Sequence, residues 1–276
     1  MVELFKIGSF EIYLFGVSIA LGILVGVFII LKESKRKGMD ENRVMDLIIY
    51  TLIAAFIGAR VYYIIAFDLA YYMEHPLRIF AVRNGGLSIQ GGLIFGIAFA
   101  AIYSKILKIN FWKAADAFAP GIIIGQAIGR FGCDVFGIPM KGNYSWGVTV
   151  GSALLHPVQI YEAFLNIGLF IVLWKFRDKT KYHGQLFISY IIGFSLIRSA
   201  VEFFRINPII WGPFTVVHLT SLILIGIALV IRFKIKDKYP MKETRYLNEG
   251  LLNDPVIYLL TVVIAISGTW VYYVMH

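Results

Sequence analysis

Long apolar blocks alternate with short, mostly basic blocks along almost the whole chain. Eight apolar blocks stand out, at about 12–31, 46–66, 86–104, 114–130, 157–174, 185–203, 216–231 and 255–274. Each is close to the ~20 residues that carry a helix across ~30 Å of hydrocarbon. The pattern predicts an all-α polytopic membrane protein, because only helices and closed barrels satisfy their backbone in lipid. The ten-residue alternating strands of a β-barrel are absent from the pattern. The last block follows a polar stretch, KDKYPMKETRYLNEGLLNDP. The expected organisation is therefore a seven-span membrane domain over 1–235, a linker over 236–254 and one additional C-terminal span over 255–274.

The basic residues orient these spans. Residues 32–43, 105–113, 175–181 and 232–245 hold eighteen of the 26 lysines and arginines. All four segments fall on one side if the N-terminus is outside, and the positive-inside rule makes that side the cytoplasm. This accounts for a net charge of +9 without nucleic acid as a partner. The amino end, MVELFKIGSFEIY, lacks both a basic n-region and a small-residue cleavage site. The first span is expected to be retained. Composition agrees with the pattern: 59% of residues are hydrophobic, 16% are charged and the mean hydropathy is +0.75. One cysteine excludes an internal disulfide and a cysteine-based metal cluster.

Four basic residues do not fit loops. Arg60, Arg130, Arg198 and Arg205 lie in or at the ends of apolar runs, where a charge costs ~2.5–3.5 kcal/mol at mid-bilayer on insertion scales. At ~1.5 Å rise per residue, Arg60, Arg130 and Arg198 all come out ~21–25 Å above the inner ends of their spans. Glu162 and Gln90, on spans running the other way, fall at the same level. Ser195, Arg198, Glu202 and Arg205 follow one helix face, and Arg198 with Glu202 forms an i, i+4 pair. A guanidinium donates two parallel hydrogen bonds and so suits a phosphate. The glycines of NGGLSIQGG and GQAIGRFG allow close backbone approach and free amides for an anion. These observations point to an anionic lipid headgroup held from the outer side. The competing reading makes the same arginines structural ion pairs and the glycines packing positions. His156, before Pro157, reads equally as a proton-handling group or a structural hydrogen bond. Cys133 reads as a small filler or as an activated thiol.

Six stretches carry a resemblance: GARVYY (58–63), GGLSIQGGLIFG (85–96), DAFAPGIIIGQAIGRFG (116–132), WGV (146–148), HPVQIYEA (156–163) and GQLFISYIIGFSLIRSAVEFFR (184–205). In this order they resemble the prolipoprotein diacylglyceryl transferase family. The resemblance implies seven spans with the N-terminus outside, in the cytoplasmic membrane. It implies transfer of diacylglycerol from phosphatidylglycerol, or a similar anionic lipid, to the lipobox cysteine of exported preproteins. It implies no metal and no soluble cofactor. Carried onto this chain, Arg130 would hold the headgroup, Arg198 would bind or polarise the phosphate, and Glu202 would orient Arg198. His156, Gln159, Tyr161 and Glu162 would frame the pocket. Arg60, Gln90, Gly91, Gly92, Cys133, Gly137 and Arg205 complete the expected site, with His156 grouped among the catalytic residues.

The chain departs from the family pattern at four positions. Gln90 stands where the family usually has histidine, Phe15 and Phe194 where it usually has tyrosine, and Cys133 where it usually has asparagine. The loop after Cys133 is shorter, and the eighth span is extra. A non-catalytic lipid-binding or lipid-transport paralogue, or a transferase with another donor or acceptor, is the rival expectation. A channel would need a polar path, and the inner halves of these spans offer few polar residues beyond Asp46 and Asp116.

Overall fold

In the computed structural model, residues 2–8, 10–67, 69–81, 85–241 and 254–276 are described. Arg83, expected in an outer loop, and residues 242–253 of the expected linker lie outside them. The chain divides into two compact units, residues 1–36 with 115–276, and residues 37–114.

The first unit opens with an antiparallel hairpin of β1 (Glu3–Ile7) and β2 (Phe10–Tyr13) that runs into helix α1 (Leu14–Arg36). Helix α5 (Phe111–Phe131) crosses α1 through two glycine pairs. A Cβ on Gly22 would lie 2.6 Å from the carbonyl oxygen of Gly125, and one on Gly121 would lie 2.5 Å from that of Gly26. GILVG on one helix thus faces GIIIG on the other, and only residues without a side chain let the backbones approach this closely. Gly125→Val is expected to cost about 1–3 kcal/mol by overpacking this crossing, read as a lower thermal midpoint in nanodiscs.

Helices α6 (Val158–Phe176), α7 (Gln185–Glu202) and α8 (Val216–Ile235) follow. A buried core forms from Ile123, Ile124 and Ala127 of α5, Ala163, Ile167 and Phe170 of α6, and Leu186 of α7. Asp116, fully buried, accepts the backbone N–H groups of Gly184 (2.8 Å) and Phe187 (3.0 Å). It therefore supplies the negative charge that a helix N-terminus favours. At the end of α1, Glu33 pairs with Arg36 at 2.5 Å, and Arg36 reaches Asp178 after α6 at 2.5 Å. Basic residues expected only as loop charges thus also tie helix ends together. The connecting loops fold as two further hairpins. One joins β3 (Val148–Val150) to β4 (Ala153–Leu155), and the other joins β5 (Ile209–Trp211) to β6 (Phe214–Thr215). Helix α9 (Asp254–Met275) belongs to this unit as well.

The second unit is built on a pair of helices, α2 (Glu41–Phe67) and α4 (Ile89–Ile106). A short helix, α3 (Leu69–Glu74), and a 3-10 turn (Pro76–Phe80) lead toward the loop before α4. Ser88 caps α4, its hydroxyl accepting the N–H of Gly91.

By length and apolarity, six helices can cross a membrane among the described residues: α1, α2, α6, α7, α8 and α9. The eight blocks read from the sequence all coincide with helices. However, the apolar part of α4 is short (Gln90–Ile106), and α5 carries Asp116, Gln126 and Arg130. The all-α expectation holds at the level of a helical membrane protein.

Candidate functional site

The last turn of α5, the beginning of α6 and the end of α7 bring charges together in the first unit. Arg130, at the end of α5, pairs with Glu162 of α6 at 2.8 Å, and Glu162 is fully buried. On α7, Glu202 is also fully buried; Arg198 pairs with it at 3.1 Å and Arg205 at 3.8 Å. The two pairs share one electrostatic neighbourhood. Burial lowers the pKa of Arg205, and the positive charges of Arg198 and Arg130 push it the same way, against Glu162 and Glu202. Three guanidiniums face two carboxylates, which leaves one positive charge in excess. Nη1 of Arg198 and Nη1 of Arg205 are buried and donate to nothing among the described residues. Buried donors without partners cost free energy and favour an incoming acceptor.

Arg130 and Glu162 line a cavity of about 200 Å³ together with Phe15, Gln126, Gly129 and Phe194. Gln126 lies one turn before Arg130 on the same helix face. Sequence reasoning passed over it, although a lone polar residue in GQAIGR was the available signal. Its Oε1 accepts the Tyr190 hydroxyl at 3.3 Å. Cys133 is buried, with its Sγ 3.8 Å from Nη1 of Arg130.

Gly137 joins the loops around the cluster. It bridges to Arg205 and donates its N–H to the His156 carbonyl at 2.8 Å. Its Cα lies so close to the Phe204 carbonyl that a Cβ would overlap that oxygen. The His156 ring is within 3.1 Å of the Tyr161 hydroxyl and tilts against Phe204. The structural hydrogen bond weighed for His156 is therefore present.

Five expected residues are placed differently. Arg60, on α2, gives its guanidinium to backbone carbonyls: Arg78 (2.7 Å), Ile79 (2.8 Å), Gly85 (2.9 Å) and Gly86 (2.8 Å). It organises a loop instead of presenting its fork to a phosphate. Gly85 and Gly86 have φ of +86° and +79°, a left-handed conformation that glycine adopts at no steric cost. In it their carbonyls face Arg60, where freed amides for an anion were expected. Gly91 and Gly92 pack α4 on α2, Gly91 against Gly58 and Tyr62, Gly92 against Ala55 and Ala59. Gln159 is fully buried and donates to the Tyr272 hydroxyl at 2.6 Å. Its side chain supports α6 from inside. Gln90 is exposed, with its Oε1 accepting from Ser88 at 2.8 Å.

The matches to known proteins cover the same chain. A family model for prolipoprotein diacylglyceryl transferase matches residues 2–234. The chain belongs to the prolipoprotein diacylglyceryl transferase family. A phosphatidylglycerol–prolipoprotein diacylglyceryl transferase of Clostridioides difficile (strain 630) is 37% identical over 243 residues, covering 87% of this chain and 98% of that protein. Proteins of the same name in Bacillus cytotoxicus and Finegoldia magna are each 32% identical, covering 88% and 85% of this chain and 94% and 95% of theirs.

In this member of the transferase family, the carboxylate of Glu202 has partners that no spacing announced. Its Oε1 accepts Nδ2 of Asn207 at 2.6 Å and the hydroxyl of Thr215 at 2.8 Å. Thr215 caps α8, and His218 closes the capping box by accepting the Thr215 N–H at 3.1 Å. With histidine at the position where a capping box usually has Glu or Gln, TVVH did not announce the box, and its link to Glu202 depends on the hairpin folding back.

Proposed function

We propose that the chain transfers a diacylglyceryl group from phosphatidylglycerol to the cysteine thiol of a prolipoprotein. The observation that carries this reading is the cluster of Arg130, Arg198 and Arg205 over two buried carboxylates, with one positive charge in excess, beside a small cavity. A phosphate diester fits that charge. The cysteine sulfur forms a bond to the glyceryl carbon, the carbon–oxygen bond to phosphate breaks, and glycerol phosphate leaves with the electron pair. The thiol proton passes to solvent or to the departing phosphate. Arg130 and Arg198 oppose the charge that grows on the leaving oxygen, which is work for pre-organised donors in a site shielded from water. Glu202 keeps Arg198 in place. A thiol with pKa near ~8.5 needs only modest assistance to attack.

The finer topology belongs to the same proposal: seven spans plus α9, in the cytoplasmic membrane, with the N-terminus and the cluster toward the outer side and a lipobox segment as acceptor. Its support is the distribution of lysine and arginine. A second reading, lipid binding without transfer, is favoured by the phenyl rings of Phe15 and Phe194, which wall the cavity without hydroxyl groups.

The test is to incubate the purified protein with phosphatidylglycerol and a lipobox peptide. Transfer is expected to add the mass of a diacylglyceryl group to the peptide cysteine. No adduct, with phosphatidylglycerol still bound, would establish the second reading.

A further inference from the structure

Helix α9 lies beyond residues 2–234, the span that the family model matches. Most of its described surface faces outward; among the described residues, Ile257, Thr261 and Tyr272 are buried. An anchor helix would need only apolar contacts. Instead, the last turn of α9 and His276 make three polar contacts, to three segments around the cluster. Tyr272, fully buried, accepts a hydrogen bond from Gln159 Nε2 at 2.6 Å. Gln159 sits one turn before Glu162, the partner of Arg130. His276 Nε2 lies 2.6 Å from Asp134 Oδ1, four residues after Arg130 and next to Cys133. The Tyr273 hydroxyl donates to the Trp146 carbonyl at 2.7 Å. The His276 ring stacks on Tyr272 with centroids 4.6 Å apart, and Asp134 Oδ2 accepts the Val2 N–H at 3.1 Å. Next to these contacts, Gly268 packs against the Phe131 ring, so α9 also approaches the end of α5.

We propose that α9 is a built-in clamp on the transfer site, with Tyr272 and His276 as positioning residues. Tyr272 fixes α6 through Gln159, and so fixes the direction from which Glu162 holds Arg130. His276 fixes the start of the loop after Arg130 through Asp134. The pairing of Arg130 with Glu162 then depends on a helix outside the matched span. This inference rests on the transfer reaction proposed above. A misplacement of a charged group by a fraction of an ångström lowers the rate of the chemical step and leaves substrate binding largely intact.

The test uses the full chain in nanodiscs. Tyr272→Phe keeps the ring and removes only the hydroxyl. It is expected to lower kcat about 10-fold, with KM for lipid and peptide changed less than about twofold. In a Gln159→Met background the same substitution is expected to add nothing, since the path it acts through is already cut. His276→Ala is expected to lower kcat similarly, and His276→Gln, which keeps a donor toward Asp134, to restore it. Wild-type kcat in Tyr272→Phe, a change confined to KM, or full additivity with Gln159→Met would each overturn the clamp. A second readout separates this from failure of the transfer reading. If the wild-type chain forms no adduct, transfer has failed, and hydrogen exchange decides the clamp. Faster exchange over residues 131–136 and 158–163 in Tyr272→Phe supports it, and unchanged exchange overturns it.

Discussion

Arg130→Ala is expected to abolish glyceryl transfer, lowering kcat/KM by at least about 10³. Two effects add up. The variant removes a donor to the phosphate, which alone costs about 10²–10³ where donors are pre-organised. It also leaves Glu162, fully buried, without its cation, and an unpaired buried charge costs about 3–5 kcal/mol. Arg130→Lys separates the two. Lysine retains a positive charge for Glu162, so the thermal midpoint is expected to move by only a few degrees, which corresponds to about 1 kcal/mol. It lacks the planar fork, so transfer is still expected to fall by about 10². Initial rates with phosphatidylglycerol and a lipobox peptide, read beside thermal unfolding, check both. Wild-type rates in Arg130→Lys would show that the fork of Arg130 is not used, and the assigned role would fail.

The helices were legible because lipid forces an apolar run of fixed length, and all eight runs lie in helices. The α7 half of the cluster was legible too, since Arg198, Glu202 and Arg205 share a helix face by spacing alone. Arg60 was not. Its partners are main-chain carbonyls, which leave no mark in a sequence, and a glycine pair turns either amides or carbonyls toward a neighbour. Gln159 was misjudged for a similar reason: HPVQIYEA fixes its place on α6, but only packing reveals that Tyr272 takes its amide. The three short hairpins were missed because each pairs strands of only two to five residues, too short for alternation to show. The glycine crossing of α1 and α5 stood in plain view as GxxxG on both helices; what the sequence withheld was that the two faces meet each other.

Glu202→Gln is expected to be the most destabilising single change at the site. The carboxylate is fully buried, pairs with Arg198 and Arg205 by charge, and accepts hydrogen bonds from Asn207 and Thr215. It thereby joins the end of α7, the following loop and the cap of α8. Glutamine has the same shape but no charge. The cluster then holds three guanidiniums against one carboxylate, and the repulsion that already acts on Arg205 rises. Removing one partner of a buried ion pair costs about 3–5 kcal/mol, which is on the order of 10 °C in the thermal midpoint for a chain of this size. Thr215→Val removes one neutral donor to the same carboxylate and is expected to cost only about 1–2 kcal/mol. The catalytic consequence differs in kind from that of Arg130→Ala. With more positive charge in excess, Glu202→Gln is expected to hold anionic lipid at least as tightly as the wild type. Arg198 loses its anchor, so kcat is expected to fall by about 10² while KM for phosphatidylglycerol stays level or drops. Steady-state rates over a lipid titration separate these parameters. A raised KM with kcat intact would mean that Glu202 serves lipid binding directly, and Arg198 would then need no carboxylate to act on the leaving phosphate.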